Sequence, residues 1–271
     1  MLNSKGVLMA PFIAENYGKS NLDIIYCTVD GIDLKMDVFY PDQGGPWPAL
    51  IFVHGGGWSE GDKLGAITTP THMGYLVASI NYRLYPQAKF PAMIEDVKCA
   101  IRFLRANASE YNIDPKRIAI IGHSAGAHLA ALAGMANDVT TWDVGEYLEQ
   151  SSQVQAVIVL SGPYDLNRNF GSEVQNLIEE VFDSEQLDIA SPVNHASTDD
   201  PPVLIIHGEA DAVVPVEQAT LLHKALAAAQ AQVEMIIIKN SGHGLEPVNG
   251  LMVPSIDQIL VRVIQFLNDN L

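Results

Sequence analysis

Three residue types in this chain could together cleave an acyl bond: a serine in "IAIIGHSAGAHLAALAG" (118–134), a histidine in "KNSGHGLEP" (239–247) and a carboxylate in "IIHGEADAVVPVEQA" (205–219). A serine hydroxyl attacks a carbonyl only when a base takes its proton, and the base needs a third group to hold its tautomer. Ser124 lies in Gly122-His123-Ser124-Ala125-Gly126, between an apolar run and an alanine-rich one. With glycine at about 7% of residues, a bare G-x-S-x-G arises by chance in roughly one chain in ten of this size, so the setting carries the argument. A sharp strand-to-helix turn needs small neighbours two positions either side, and it lifts the hydroxyl above a sheet at the positive end of a helix. A serine that merely caps the helix would use the same geometry for structure only.

Eight histidines compete for the role of base. His54, His123 and His207 end apolar runs, His128 and His223 fall in helical patterns, and His72 and His195 lie in irregular segments. His243 alone occupies a small, glycine-flanked, flexible loop between the last apolar run and a final helical pattern, which makes it the expected base. For the acid, Asp211 follows an apolar run by a few residues, with Glu209 as a near alternative and Asp165 in "LSGPYDL" as a farther one. The chain order serine, aspartate, histidine is one that a strand-loop-helix alternation supports.

The elements that must position these residues are legible as periods. "DIIYCTV" (23–29) and "IDLKMDVFY" (32–40), joined by Asp30-Gly31, read as a hairpin. Runs at 48–54, 76–82, 117–123, 154–161, 202–208 and 232–239 are short, β-branched and apolar without clean alternation, as strands buried on both faces are. Helical patterns begin near 91, 124, 215 and 254, several with proline expected in the first turn. The alternation predicts an α/β architecture: a mostly parallel eight-stranded sheet led by an antiparallel hairpin, with helices on both faces. Ligands in such sheets sit at the carboxyl ends of the strands.

The whole chain, 271 residues, reads as one domain, with 164–197 as an insertion forming a small cap. A formal charge of −17 argues against nucleic acid or an anionic membrane as partner. Cys27 and Cys99 are too few for a disulfide framework and are expected as separate buried thiols. The N-terminal segment lacks a convincing signal peptide, which favours a cytoplasmic protein. The edge run 232–239 is available for pairing between two subunits in a homodimer.

The combination of "HGGGW", "GDK", "NYRL", "FPAMIEDVKCAIRFLRANASEYNIDPKRI", "GHSAGAHLAAL", "HGEADAVVP" and "SGHG" resembles the α/β-hydrolase superfamily across residues 23–270. More narrowly it resembles esterases of the hormone-sensitive-lipase type and the small bacterial esterases related to feruloyl and acetyl-xylan esterases. The resemblance implies an oxyanion hole made by the backbone amides of Gly56, Gly57 and Ala125, with Gly55 turning the chain off its strand. Fixed amides there would stabilise the charge that develops on a substrate carbonyl oxygen. Trp58 and the Gly61-Asp62-Lys63 turn are expected to brace that loop. The stretch "LGAITTPTHM" (64–73) departs from the resemblance, since it has little amphipathic period where relatives place a longer helix.

In the insertion, Phe170, Leu177, Ile178, Val181 and Phe182 either line an acyl or alcohol pocket or pack as an ordinary helix face. The expected activity is serine carboxylic-ester hydrolysis of short-chain or aromatic acyl esters, requiring neither metal nor organic cofactor. An arylformamidase or a peptidase would use the same triad. A non-catalytic binding module is the reading of another class, and one that would normally have lost a triad residue.

Overall fold

A computed structural model describes residues 18–271; the segment before them, read above for a signal peptide, lies outside the described residues. Eight strands form one sheet: β1 (Ser20–Val29), β2 (Ile32–Phe39), β3 (Trp47–Val53), β4 (Leu76–Ile80), β5 (Ile113–His123), β6 (Ala156–Leu160), β7 (Val203–Gly208) and β8 (Val233–Ile238). Their spatial order is β1-β2-β4-β3-β5-β6-β7-β8. The first two pairings are antiparallel and the rest parallel. Asp30 and Gly31 turn the hairpin with φ of 52° and 78°, the left-handed pair that matches the twist of two strands joined tightly.

The absence of alternation in the central strands has the expected cause. Ala49, Ile51 and Val53 face one apolar cluster while Leu50 and Phe52 face another, and Ile118 and Ile120 are divided from Ala119 and Ile121 in the same way. Both faces are therefore dry, and nearly every position is apolar, buried Ser79 on β4 and His207 on β7 being polar exceptions.

The helices are α1 (Ala92–Ala106), α2 (Ala125–Met135), α3 (Ser172–Val181), α4 (Glu217–Ala228) and α5 (Ile256–Asn270). They divide unequally. α1 to α4 contribute to the first cluster, whereas the second is closed by Ile259, Val263, Phe266 and Leu267 of α5 together with Ala66, Ile67 and Tyr75. Those last residues belong to or flank the stretch 64–73, which forms two short 3-10 turns, Lys63–Gly65 and Thr69–Met73, instead of a helix. The prolines sit slightly earlier than expected: Pro91 caps α1, and Pro215 and Pro254 precede the caps Val216 and Ser255. Ser255 and Gln258 exchange side-chain bonds in a capping box that starts α5.

The two cysteines correct the sequence reading. Cys27 on β1 and Cys99 on α1 are joined in a disulfide, with Cα atoms 6.5 Å apart. Their separation of 72 residues conceals the pairing in the sequence; packing α1 against β1 in the first cluster creates it.

Candidate active site

Ser124 follows β5 and caps α2 with φ 54° and ψ −122°, a strained backbone that costs about 1–3 kcal/mol and persists only where its surroundings impose it. Here other backbones impose it. A Cβ on Gly122 would overlap the Gly126 carbonyl, and a Cβ on Gly126 would overlap the carbonyls of Val53 and His54 at the end of β3. The glycines at ±2 are thus required by close packing of α2 onto β3 and onto its own turn. The Ser124 amide is bonded to the Leu160 carbonyl at 2.8 Å.

His243 follows β8, and Asp211 follows β7. Their loops are stitched together: Glu209 N donates to the Ile238 carbonyl at 2.9 Å, and Ala210 N to the Ser241 carbonyl at 2.9 Å. A Cβ on Gly208 would overlap the Gly242 carbonyl, so the two strand ends approach as closely as backbone allows. The His243 loop, expected to be flexible, is held by Val248 N to Asn240 O (2.8 Å), Gly242 N to Glu246 O (3.0 Å) and the buried side chain of Leu245.

The result is a continuous line. His243 Nε2 lies 3.0 Å from Ser124 Oγ, and His243 Nδ1 lies 2.8 Å from Asp211 Oδ2. The other carboxylate oxygen, Oδ1, accepts the amides of Val213 and Val214, each at 2.9 Å. Burial works to raise the Asp211 pKa, but bonds from His207 and His243, the charge His243 can carry and the Val214 amide outweigh it. The carboxyl is held well below its usual range. Of the two alternative acids, Glu209 is exposed and Asp165 is engaged by Arg168 at 2.8 Å.

Gly56 and Gly57 have φ of 114° and 57°, followed by Trp58 at 58°. The turn off β3 therefore lies at 56–58 and not at Gly55, whose bare Cα instead makes room for Ser124 and His123, 3.1 Å and 3.0 Å from where its Cβ would stand. The Gly56 carbonyl accepts the amides of Ser59 and Glu60 at 3.1 Å and 3.0 Å, and a Cβ on Gly56 would overlap the Glu60 carbonyl. Among the described residues, the amides of Gly56, Gly57 and Ala125 donate to no backbone acceptor outside helices and strands. Trp58 is buried, and Lys63 braces the following turn through a 2.9 Å bond to buried Asp37.

Four histidines passed over as bases each fix a carbonyl beside the site. His54 Nδ1 donates to Gly55 O (2.7 Å), His123 Nε2 to His243 O (3.0 Å), His128 Nε2 to Ala190 O (2.7 Å) and His207 Nε2 to Val214 O (2.9 Å). His207 Nε2 is also 3.1 Å from Asp211 Oδ2, so two acceptors fix the proton on that nitrogen. Trp58 Nε1 donates to His128 Nδ1 at 3.2 Å, which fixes that tautomer too. Burial keeps His123 and His128 neutral, with pKa values lowered to about 4. Only the position of His207, four residues before Asp211, offered any hint of this in the sequence.

The family model described as BD-FAE matches residues 36–226. The chain belongs to that family of α/β-hydrolase esterases. This BD-FAE member is 33% identical over 220 residues to "Esterase LipC" of Mycobacterium tuberculosis, across 76% of this chain and 55% of the relative. It is 30% identical to "Isoprenylcysteine alpha-carbonyl methylesterase ICME" of Arabidopsis thaliana, across 77% and 53%. It thus spans about half the length of those two curated relatives. Among solved structures it resembles a truncated form of a carbohydrate esterase from gut microbiota, with a TM-score of 0.81, 31% identity and coverage of 95% of this chain and 98% of that one. It also resembles esterase 2 of Thermogutta terrifontis phosphoramylated by tabun, with a TM-score of 0.79, 27% identity and coverage of 94% and 96%.

Proposed function

We propose that this protein is a serine carboxylic-ester hydrolase working through an acyl-enzyme on small-molecule esters. The reading is carried by one observation, the line from Ser124 Oγ through His243 to Asp211 with contacts of 3.0 Å and 2.8 Å. His243 Nε2 takes the Ser124 proton as Oγ bonds to the ester carbonyl carbon. The carbonyl oxygen gathers negative charge, and the amides of Gly56, Gly57 and Ala125 stabilise it; each such donor contributes about 3 kcal/mol to lowering the barrier. His243 then returns the proton to the leaving alcohol as the carbon-oxygen bond breaks. Water repeats the sequence on the acyl-enzyme, with Asp211 holding the imidazole and stabilising its charged form throughout.

The esterase names among the relatives support the bond type. Two measurements test the reading. A fluorophosphonate probe is expected to label the wild type and not Ser124→Ala; absence of labelling, or labelling unchanged by the substitution, would return the protein to a binding role. p-Nitrophenyl esters are expected to turn over faster than N-formylkynurenine or aminoacyl amides, and the reverse order would move the assignment to a formamidase or peptidase.

A further inference from the structure

The apolar residues of the 164–197 insertion do not share one role. Phe170, Ile178, Val181 and Phe182 are buried in the first cluster. Phe182 packs edge-on against Trp58 with ring centroids 5.0 Å apart, and Phe90 N donates to the Val181 carbonyl at 3.1 Å. α3 is therefore held firmly beside the 55–58 loop. Leu177, on the same helix, belongs to neither apolar cluster. It is half-buried, and its Cδ1 lies 2.8 Å from where a Cβ on Gly57 would stand. A branched aliphatic side chain is thus presented to an oxyanion-loop glycine by a helix that the core fixes.

The chemistry assigns a side to that contact. The leaving alcohol must take its proton from His243 Nε2, so the alcohol occupies the His243 side, after β8. With the carbonyl oxygen on the amides of Gly56, Gly57 and Ala125, the acyl chain is the remaining substituent, and its course along the loop after β3, on the other side of β5 in the sheet, is part of the proposal. That is where Gly57 and Leu177 meet. Resting on the ester-hydrolase reading, we propose that Leu177 is the specificity-determining wall of the acyl side, restricting the acyl group to short chains, acetyl to butyryl, and excluding cinnamoyl.

The test holds the leaving group constant: kcat/KM for p-nitrophenyl acetate, butyrate, octanoate and cinnamate in wild type, Leu177→Ala and Leu177→Phe. Leu177 lies outside the core, so both variants are expected to melt like the wild type. Wild type should favour acetate and butyrate. Leu177→Ala, which removes three side-chain carbons, should raise the octanoate-to-acetate and cinnamate-to-acetate ratios roughly tenfold or more, since even one methylene of pocket space provides about that discrimination. Leu177→Phe should lower the butyrate-to-acetate ratio. A parallel series of acetates with alcohols of increasing size should keep its order in both variants. Acyl ratios unchanged within about twofold, or a change confined to the alcohol series, would overturn the role of Leu177 while Ser124-dependent turnover upheld the ester-hydrolase reading. Absence of any ester turnover in the wild type would overturn both.

Discussion

At the residue scale, Asp211 has four donors on two oxygens: His243 and His207 at Oδ2, Val213 and Val214 at Oδ1. His207 also holds the Val214 carbonyl, so one buried ring fixes both the carboxylate and the loop that carries it. Leu at 207 would remove that donor, and Gln would keep one. We expect His207→Leu to lower kcat by about 10- to 100-fold, as loss of a bond to a charged group implies, with KM changed less than about threefold, and His207→Gln to recover part of the rate. Steady-state kinetics normalised to probe-titrated active sites check this, and a wild-type kcat in His207→Leu would refute it. Ser124, Asp211 and His243 were legible because their loops carry glycine and a local chain order. His207 was marked only by its place four residues before Asp211, since a histidine ending an apolar strand looks the same whether it packs in the core or bonds a carboxylate.

At the scale of elements, the 55–58 loop, α2 and the 164–197 insertion are joined by one hydrogen-bonded path. Trp58 Nε1 donates to His128 Nδ1, and His128 Nε2 donates to the Ala190 carbonyl. Trp58→Phe would leave His128 Nδ1 buried without its donor, at a cost of roughly 1–3 kcal/mol. The expected result is a melting temperature lower by several degrees, about 2–4 °C per kcal/mol for a chain near this size, measured by thermal unfolding at neutral pH. An unchanged melting temperature would mean the relay contributes nothing to stability. The sequence suggested that Trp58 braces its loop, but the partner lies 70 residues away and on a different element. No local period encodes that pairing.

At the scale of the whole molecule, the buried histidines make folding sensitive to acid. The unfolded chain takes up protons on histidine near pH 6.5, whereas folded His123 and His128 refuse them until about pH 4. Stability is therefore lost as pH falls through that window, by about 2 kcal/mol for each ring at pH 5. Asp96, raised by burial to about 6 against the pull of Arg83, works in the opposite direction and returns roughly 1 kcal/mol over the same range, so the histidines win. Urea denaturation at pH 7 and pH 5 is expected to show a net loss of roughly 2–3 kcal/mol, and equal midpoints would refute it. Asp211, held low, adds its own loss only below about pH 4.

What the sequence determined by itself was whatever a period or a short motif encodes: eight strands, the flanking helices, the elbow at Ser124 and the loops that carry Asp211 and His243. What only the tertiary structure decided were pairings between distant segments, namely the Cys27–Cys99 disulfide, the histidine-held carbonyls, and the separation of Leu177 from its core-facing neighbours. An amphipathic helix reveals which residues share a face, whereas which neighbour that face meets depends on contacts across the fold.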